Sequence, residues 1–171
     1  ESFGGDRAAT AATEARLDAL RGAIGPLDAD VLCLQEVNGQ RPHGGGERTL
    51  ADLDRLLEDT AFAGCERVSA GLGGPVGDRH NLVIASRHPI VAHRRLWHDY
   101  VPAFSLDLSA DAAEGLDVSF DRPVLHATIA TASGQQVDIF NAHLRAPLAA
   151  PVPGEKIDAR SWRSASGWAQ G

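Results

Sequence analysis

The chain has no methionine, a single lysine (Lys156), two cysteines and few aromatic residues. Translation begins with methionine, whose removal normally requires a small second residue, so a chain that opens on Glu1 is expected to be a truncated or processed piece of a longer protein. No apolar run approaches the length of a transmembrane helix, and no basic-then-apolar signal segment opens the chain. The two cysteines, Cys33 and Cys65, form no Cys-x-x-Cys pair, which argues against zinc, and we expect both thiols to be buried and free.

Length and composition favour one globular domain over residues 1–171, truncated at both ends. Of the 171 residues, 43% are hydrophobic and 23% charged, which is ordinary for a folded domain. The net charge of −7 argues against tight non-specific binding to nucleic acid, although a local arginine cluster can still engage a phosphate. The few aromatic residues offer no platform for base stacking. Free thiols fit the cytoplasm, so we expect a cytoplasmic monomer, with secretion as the alternative.

Hydrophobic periodicity predicts interleaved helices and strands. The predicted elements are a loop at 1–8, a helix from about Thr13 to Ile24, a strand at 31–34, a helix after Thr49, strands at 65–69, 81–86 and 90–97, a long connection at 98–121, a hairpin at 123–131 and 136–144, a proline-rich loop at 147–154 and a helix from about Asp158. The run at 31–34 suits a strand covered on both faces. Thr49 and Asp52 resemble a capping box. The pattern indicates a mixed α/β layered domain.

The strand at 136–144 ends in two polar residues. Because strand side chains alternate with period two, Val137, Ile139, Asn141 and His143 share one face, which turns polar at its C-terminal end. This pattern is typical of a sheet that presents an active site at its edge. It is equally typical of a strand that leaves the core, where Asn and His are ordinary exit residues.

The motifs of several enzyme classes are missing. There is no Gly-x-Ser-x-Gly elbow and no His-Glu-x-x-His, and residues 71–77 lack the third glycine and following helix of a nucleotide-binding loop. Glu36 follows an apolar strand, where a carboxylate can bind a hard cation or can simply be solvated. Together with Asn141, His143 and scattered arginines, Glu36 suits metal-assisted phosphoryl chemistry better than acyl transfer, which needs an activated nucleophile.

Four motifs resemble those of the endonuclease/exonuclease/phosphatase superfamily. Residues 30–37 look like its Asp-hydrophobics-Leu-Gln-Glu signature, and residues 81–90 resemble its strand ending in Ser-Arg-x-Pro-Ile. Residues 121–124 are similar to the arginine-led start of its next strand, and residues 140–146 to its Asn-x-His-Leu-x-Ala motif. All four occur in the family's order. The resemblance implies a DNase I-like α/β fold, a two-sheet sandwich flanked by helices in four layers.

The resemblance also implies a function and a set of site residues. The expected activity is divalent-metal-dependent hydrolysis of phosphate esters, by a phosphodiesterase, nuclease or phosphatase in which water attacks phosphorus. Glu36, aided by Gln35, would bind Mg²⁺ or Mn²⁺. His143 would contact the scissile phosphate as a catalytic residue, with Asn141 orienting that edge. The positions that approach substrate phosphate in relatives are Arg122, His80 and Asn81.

Other expected family segments are not found in this sequence. They are the first strand with its metal-side Asn, a Gly-Asp-x-Asn segment and a terminal Asp-His pair. We therefore expect this piece alone to be inactive or nearly so. The alternative is a non-catalytic binding or scaffold domain that retains the fold. The substrate is a phosphate ester, with nucleic acid among the candidates.

Overall fold

The computed structural model describes residues 3–42, 44–99, 101–106, 116–118, 120, 122–144, 157–158 and 160–163. The proline-rich loop at 147–154, Asp121, the motif residues Arg145 and Ala146, and Trp168 lie outside these residues. The chain divides into two compact units. The first contains Glu1–Leu96 and Arg122–His143, and the second contains Trp97–Asp121 and Leu144–Gly171.

The part of the first unit that the structure describes contains two helices: α1 at Phe3–Ile24 and α2 at Ala51–Leu57. The prediction of a loop at 1–8 is wrong from Phe3 onward, because the alanine-rich stretch that follows propagates the helix through two glycines of low propensity. The predicted capping box is also wrong. Leu50 is the N-cap and makes no side-chain cap bond, while Thr49 forms a β-bridge with Gln40. The helix α2 and its N-cap bury one apolar face, which is formed by four leucines: Leu50, Leu53, Leu56 and Leu57.

The described residues form eight strands: β1 Val31–Val37, β2 Glu66–Ala70, β3 Asn81–Ser86, β4 Ile90–Leu96, β5 Phe104–Leu106, β6 Leu116–Val118, β7 Val124–Ala130 and β8 Gln136–Asn141. The first unit holds two antiparallel three-stranded sheets, ordered β1-β3-β2 and β4-β7-β8. The predicted hairpin is confirmed as β7-β8. Its second strand ends at Asn141, so His143 lies just beyond the ladder.

The apolar run of β1 predicted a strand covered on both faces. The structure shows that β1 is not covered in this way. Among the described strands it pairs only with β3. Cys33 is exposed and Cys65 is half-buried, so the prediction that both thiols are buried is wrong. Partial burial of the sulfur still raises the pKa of the Cys33 thiol. The central strand β3 is the one buried at every position, because it has a strand on each side and a packed layer on each face.

Two apolar layers hold the first unit together. The layer between the helices and the first sheet contains Leu17, Ile24, Leu53, Phe62, Val83 and Ala85. The layer between the two sheets contains Ala70, Leu82, Ile84, Leu125, Ala127 and Ile129. Successive residues of β3 thus alternate between the two layers, as period two requires. The predicted α/β sandwich is confirmed, with a helical layer on the outer face of the first sheet.

The second unit contains a small hairpin of β5 and β6, which pairs Phe104 with Val118. The sequence predicted a long connection here, with an irregular strand inside it as the alternative. The helix predicted from about Asp158 is wrong for the described residues, where Asp158 Oδ1 accepts hydrogen bonds from the backbone N–H groups of Arg160 and Ser161 in a bend. Aspartate favours such turns because its side chain competes for backbone donors. No helix in the described part of the chain is long and apolar enough to cross a membrane.

Candidate active site

Glu36 lies at a β-bulge near the end of β1. The register against β3 shifts between Leu34 and Val37, and Glu36 has φ 59°, in the left-handed region. Non-glycine residues there carry a conformational cost of about 1–2 kcal/mol, and such strain concentrates at functional sites. A bulge also redirects side chains away from the regular alternation. This bulge could not be predicted from the sequence, because no glycine marks it.

A rigid loop brings His80 to the same place. His80, just before β3, also has a positive φ of 57°, and its Nδ1 lies 3.2 Å from Glu36 Oε1. That Nδ1 atom is buried and makes no hydrogen bond of good geometry within the described residues. The loop itself is fixed at its base by Asn81, whose Oδ1 accepts from Gly77 N at 2.6 Å and whose Nδ2 donates to Val37 O at 2.7 Å.

His143 reaches Glu36 from the end of the second sheet. Its Nε2 lies 3.4 Å from Glu36 Oε1, while Arg122 NH1 donates to its Nδ1 at 2.5 Å. A guanidinium can only donate, so Nδ1 must accept, and the neutral imidazole then carries its proton on Nε2. The arrangement therefore turns an N–H group of His143 toward the Glu36 carboxylate. Arg122 is half-buried, and the His143 side chain is 21% exposed.

Asn141 is buried and joins the two sheets. It is 3% exposed, and its Nδ2 donates to Leu34 O at 2.8 Å on β1 and to Val83 O at 3.0 Å on β3. Both amide protons are thus committed to backbone carbonyls. Asn81 is likewise fully buried, with its amide engaged by backbone groups. Both asparagines lie buried beneath this edge. The sequence predicted Asn141 as catalytic and Asn81 as a phosphate contact, and these roles stay predictions.

The structure thus sorts the six predicted site residues into two groups. Glu36, His80, His143 and Arg122 form a connected chain of contacts at one edge of the sandwich, as the preceding distances show. Asn141 and Asn81 lie buried below that edge, each holding a strand end or loop that carries one of the four. A seventh residue, Gln35, joins the edge, since its Nε2 donates to Ala142 O at 2.6 Å.

Among the described residues, Glu36 is the carboxylate that this edge offers a cation. It is 59% exposed, and its Oε1 faces the imidazoles of His80 and His143. Among the described residues no group of three or more His, Cys, Asp or Glu is arranged to hold a metal ion. Mg²⁺ commonly binds through one or two carboxylates and takes its remaining ligands from water and substrate phosphate. The donor set therefore fits Mg²⁺ or Mn²⁺, and it does not fit a structural zinc site.

A second polar network, which sequence reasoning missed, lies on the outer face of the β7-β8 pair. Asp138 Oδ1 accepts from Thr128 Oγ1 at 2.7 Å and from His126 Nε2 at 2.9 Å, and the His126 ring stacks on Phe140. The hydrogen bonds from Thr128 and His126 lower the pKa of the Asp138 carboxyl, and the charges of His126 and Arg94 lower it further. This network could have been predicted, because the register of the β7-β8 hairpin places Asp138 opposite Thr128.

A sequence model of the Endonuclease/Exonuclease/phosphatase family matches residues 3–153. The chain therefore belongs to this family, and its two-sheet sandwich is a DNase I-like fold. Family members are generally hydrolytic enzymes that act on phosphoester bonds, so the resemblance drawn from the four motifs is confirmed. No curated protein and no solved structure matches the chain with significance.

Proposed function

We propose that this protein is a divalent-metal-dependent hydrolase of phosphate esters, acting as a phosphodiesterase, nuclease or phosphatase through attack of water on phosphorus. The observation that carries the proposal is the convergence of Glu36 and His143. They come from different sheets, and their side chains meet at 3.4 Å at one exposed edge. An anionic cation ligand beside a fixed N–H donor is the pair of groups that phosphoryl transfer requires.

Glu36 holds the cation in this proposal. Bound there, Mg²⁺ or Mn²⁺ supplies Lewis-acid stabilisation of the charge that develops on the phosphoryl oxygens. The exposed Glu36 carboxylate leaves room for substrate and water on its solvent side. The Nδ1 of His80 lies 3.2 Å from the same carboxylate oxygen, which places the His80 imidazole beside the group that would hold the cation.

His143 contacts the substrate phosphate. Its Nε2–H, directed by the Arg122 bond to Nδ1, points toward the carboxylate edge where the phosphate binds. A preorganised N–H donor aimed at developing negative charge lowers the barrier without reorganisation, and losing one such donor typically reduces kcat about 10²–10³-fold. Arg122 has its NH1 committed to His143, so its remaining N–H groups are the ones available to a phosphate oxygen.

The experiment compares hydrolysis of a generic phosphodiester and a phosphomonoester by the full-length protein, with and without Mg²⁺. Glu36→Ala should abolish the Mg²⁺-dependent rate, and His143→Ala should lower kcat about 10²–10³-fold. Unchanged rates in both variants would contradict the assignment of Glu36 and His143 to the active site. Absence of any metal-stimulated hydrolysis, with the fold intact, would favour a non-catalytic binding domain.

A further inference from the structure

Gln35 links the two segments that carry the site residues. It directly precedes Glu36, and its side-chain Nε2 donates to the backbone carbonyl of Ala142, which directly precedes His143, at 2.6 Å. The same Nε2 lies 3.5 Å from Asn141 Oδ1. One side chain therefore ties the residue before Glu36 to the residue before His143.

The link acts where regular strand pairing has stopped on both sides. Glu36 lies within the bulge of β1, and His143 lies beyond the last residue of β8. The strands β1 and β8 belong to different sheets, so no ladder sets the distance between their ends. The Gln35 bond to Ala142 and the Asn141 bond to Leu34 O span this gap between backbone segments.

The chemistry of the bond assigns the orientation of the Gln35 amide. A backbone carbonyl only accepts hydrogen bonds, so Gln35 must present its NH₂ group, and not its oxygen, to Ala142. A role as an auxiliary metal ligand would instead use the amide oxygen, and a carboxylate in its place would serve better. Donation to Ala142 uses the NH₂ group and metal ligation would use the oxygen, so substitutions that keep only one of these functions separate the two roles.

We propose that Gln35 is a positioning residue that sets the spacing of Glu36 and His143 by clamping the end of β8 to the bulge of β1. This rests on the proposed function for its effect on catalysis. Because misplacement of reacting groups by about 1 Å can cost about 10²-fold in rate, losing the clamp should lower kcat about 10- to 100-fold. It should leave KM and the apparent Mg²⁺ affinity nearly unchanged, since the ligand Glu36 remains.

Three substitutions in the full-length protein distinguish a role of Gln35 as hydrogen-bond donor from a role as metal ligand. Gln35→Glu keeps the shape, removes the donor and sets a carboxylate against the Ala142 carbonyl, whereas Gln35→Lys keeps a donor of similar reach. Gln35→Met keeps the volume and donates nothing. The clamp predicts that Lys retains kcat within about threefold while Glu and Met lose about 10- to 100-fold. The reverse order, with Glu active and Lys inactive, would overturn the proposal in favour of metal ligation.

A measurement that does not depend on catalytic activity tests the clamp separately from the proposed function. Hydrogen exchange of the Asn141 side-chain amide, measured by NMR, should be slow in the natural protein and in Gln35→Lys, and faster in Gln35→Glu and Gln35→Met. Equal exchange in all four proteins would refute the clamp, whatever the activity. Failure of the proposed function is distinct, since it appears as unchanged rates in Glu36→Ala and His143→Ala.

Discussion

His143 Nε2 lies 3.4 Å from Glu36 Oε1, although one residue follows the last strand of the second sheet and the other lies in a bulge of the first. Neither position belongs to a regular hydrogen-bonded ladder. The contact therefore depends on the side chains that brace the two backbone segments, and Asn141, which is 3% exposed, is one of them.

Removing the Asn141 side chain should destabilise the protein more than most polar substitutions. In Asn141→Ala the carbonyls of Leu34 and Val83 lose their donors inside the sandwich. A buried group left without its hydrogen bond costs about 1–3 kcal/mol, so the free energy of unfolding should fall by about 2–5 kcal/mol. Urea unfolding measures the change.

Asn38→Ala is the matched control, because Asn38 is exposed and its side chain makes no hydrogen bond among the described residues. Its free energy of unfolding should stay within about 0.5 kcal/mol of the natural protein. Equal effects at Asn38 and Asn141 would contradict the role of Asn141 as a link between the sheets.

The left-handed backbone conformation of Glu36 should lower the stability of the fold. Its φ of 59° suits glycine, so Glu36→Gly relieves a backbone cost that Glu36→Ala retains. The glycine variant should be about 1 kcal/mol more stable than the alanine variant, while both lose metal-dependent hydrolysis. Thermal or urea unfolding of the two variants side by side gives the difference. An alanine variant as stable as the glycine variant would mean that the bulge is not strained.

The loop that carries His80 should tolerate a methyl group at one glycine and not at another. A Cβ at Gly71 would lie 2.2 Å from both Asn81 Oδ1 and Gly77 N, whereas a Cβ at Gly74 meets nothing within 4 Å. Gly71→Ala should therefore lower the free energy of unfolding by about 1–3 kcal/mol, the usual cost of overpacking. Gly74→Ala should be close to neutral, and a similar loss at both would argue against tight packing around Asn81.

Acid should weaken the network on the outer face of β7 and β8. The hydrogen bonds from Thr128 and His126 lower the pKa of Asp138 in the folded state below its unfolded value of about 3.9. The carboxylate therefore stabilises the fold above about pH 3.9, and this contribution is lost as the pH falls through the lower folded-state pKa.

The test compares Asp138→Asn with the natural protein across that range. The variant should be less stable at pH 7, and the gap should narrow as the pH falls below about 3.9. Asp59→Asn is the control, since Asp59 is exposed and has no ion pair or hydrogen bond within the described residues. A gap that is constant with pH would show that Asp138 is not preferentially ionised in the fold.

The strands were more predictable from sequence than the site. The strand β3 has the predicted bounds, because its continuous apolar run ends at Arg87, His88 and Pro89. The start of α1 was not predicted. Glycine has a low helix propensity, but a long alanine-rich segment propagates the helix through the glycines near its start. Local patterns capture the elements because periodicity is a local property of the chain.

The roles of Asn141 and Asn81 could not be predicted, because their acceptors are backbone carbonyls of other strands, which leave no mark in the sequence. The left-handed φ of Glu36 was also invisible, as the bulge is imposed by pairing with β3. Sequence motifs identified the residue types at the edge. The three-dimensional structure was needed to distinguish those exposed at the site from those buried beneath it.

The most direct test of the central claim is kcat/KM of the double variant Glu36→Gln/His143→Asn on a phosphodiester with saturating Mg²⁺, compared with each single variant. Groups that act as one unit are strongly non-additive, so the double variant should lose little more than the worse single variant, each down about 10²-fold or more. Losses in the two single variants that multiply in the double variant would show that Glu36 and His143 act independently. Such a result would contradict a shared site.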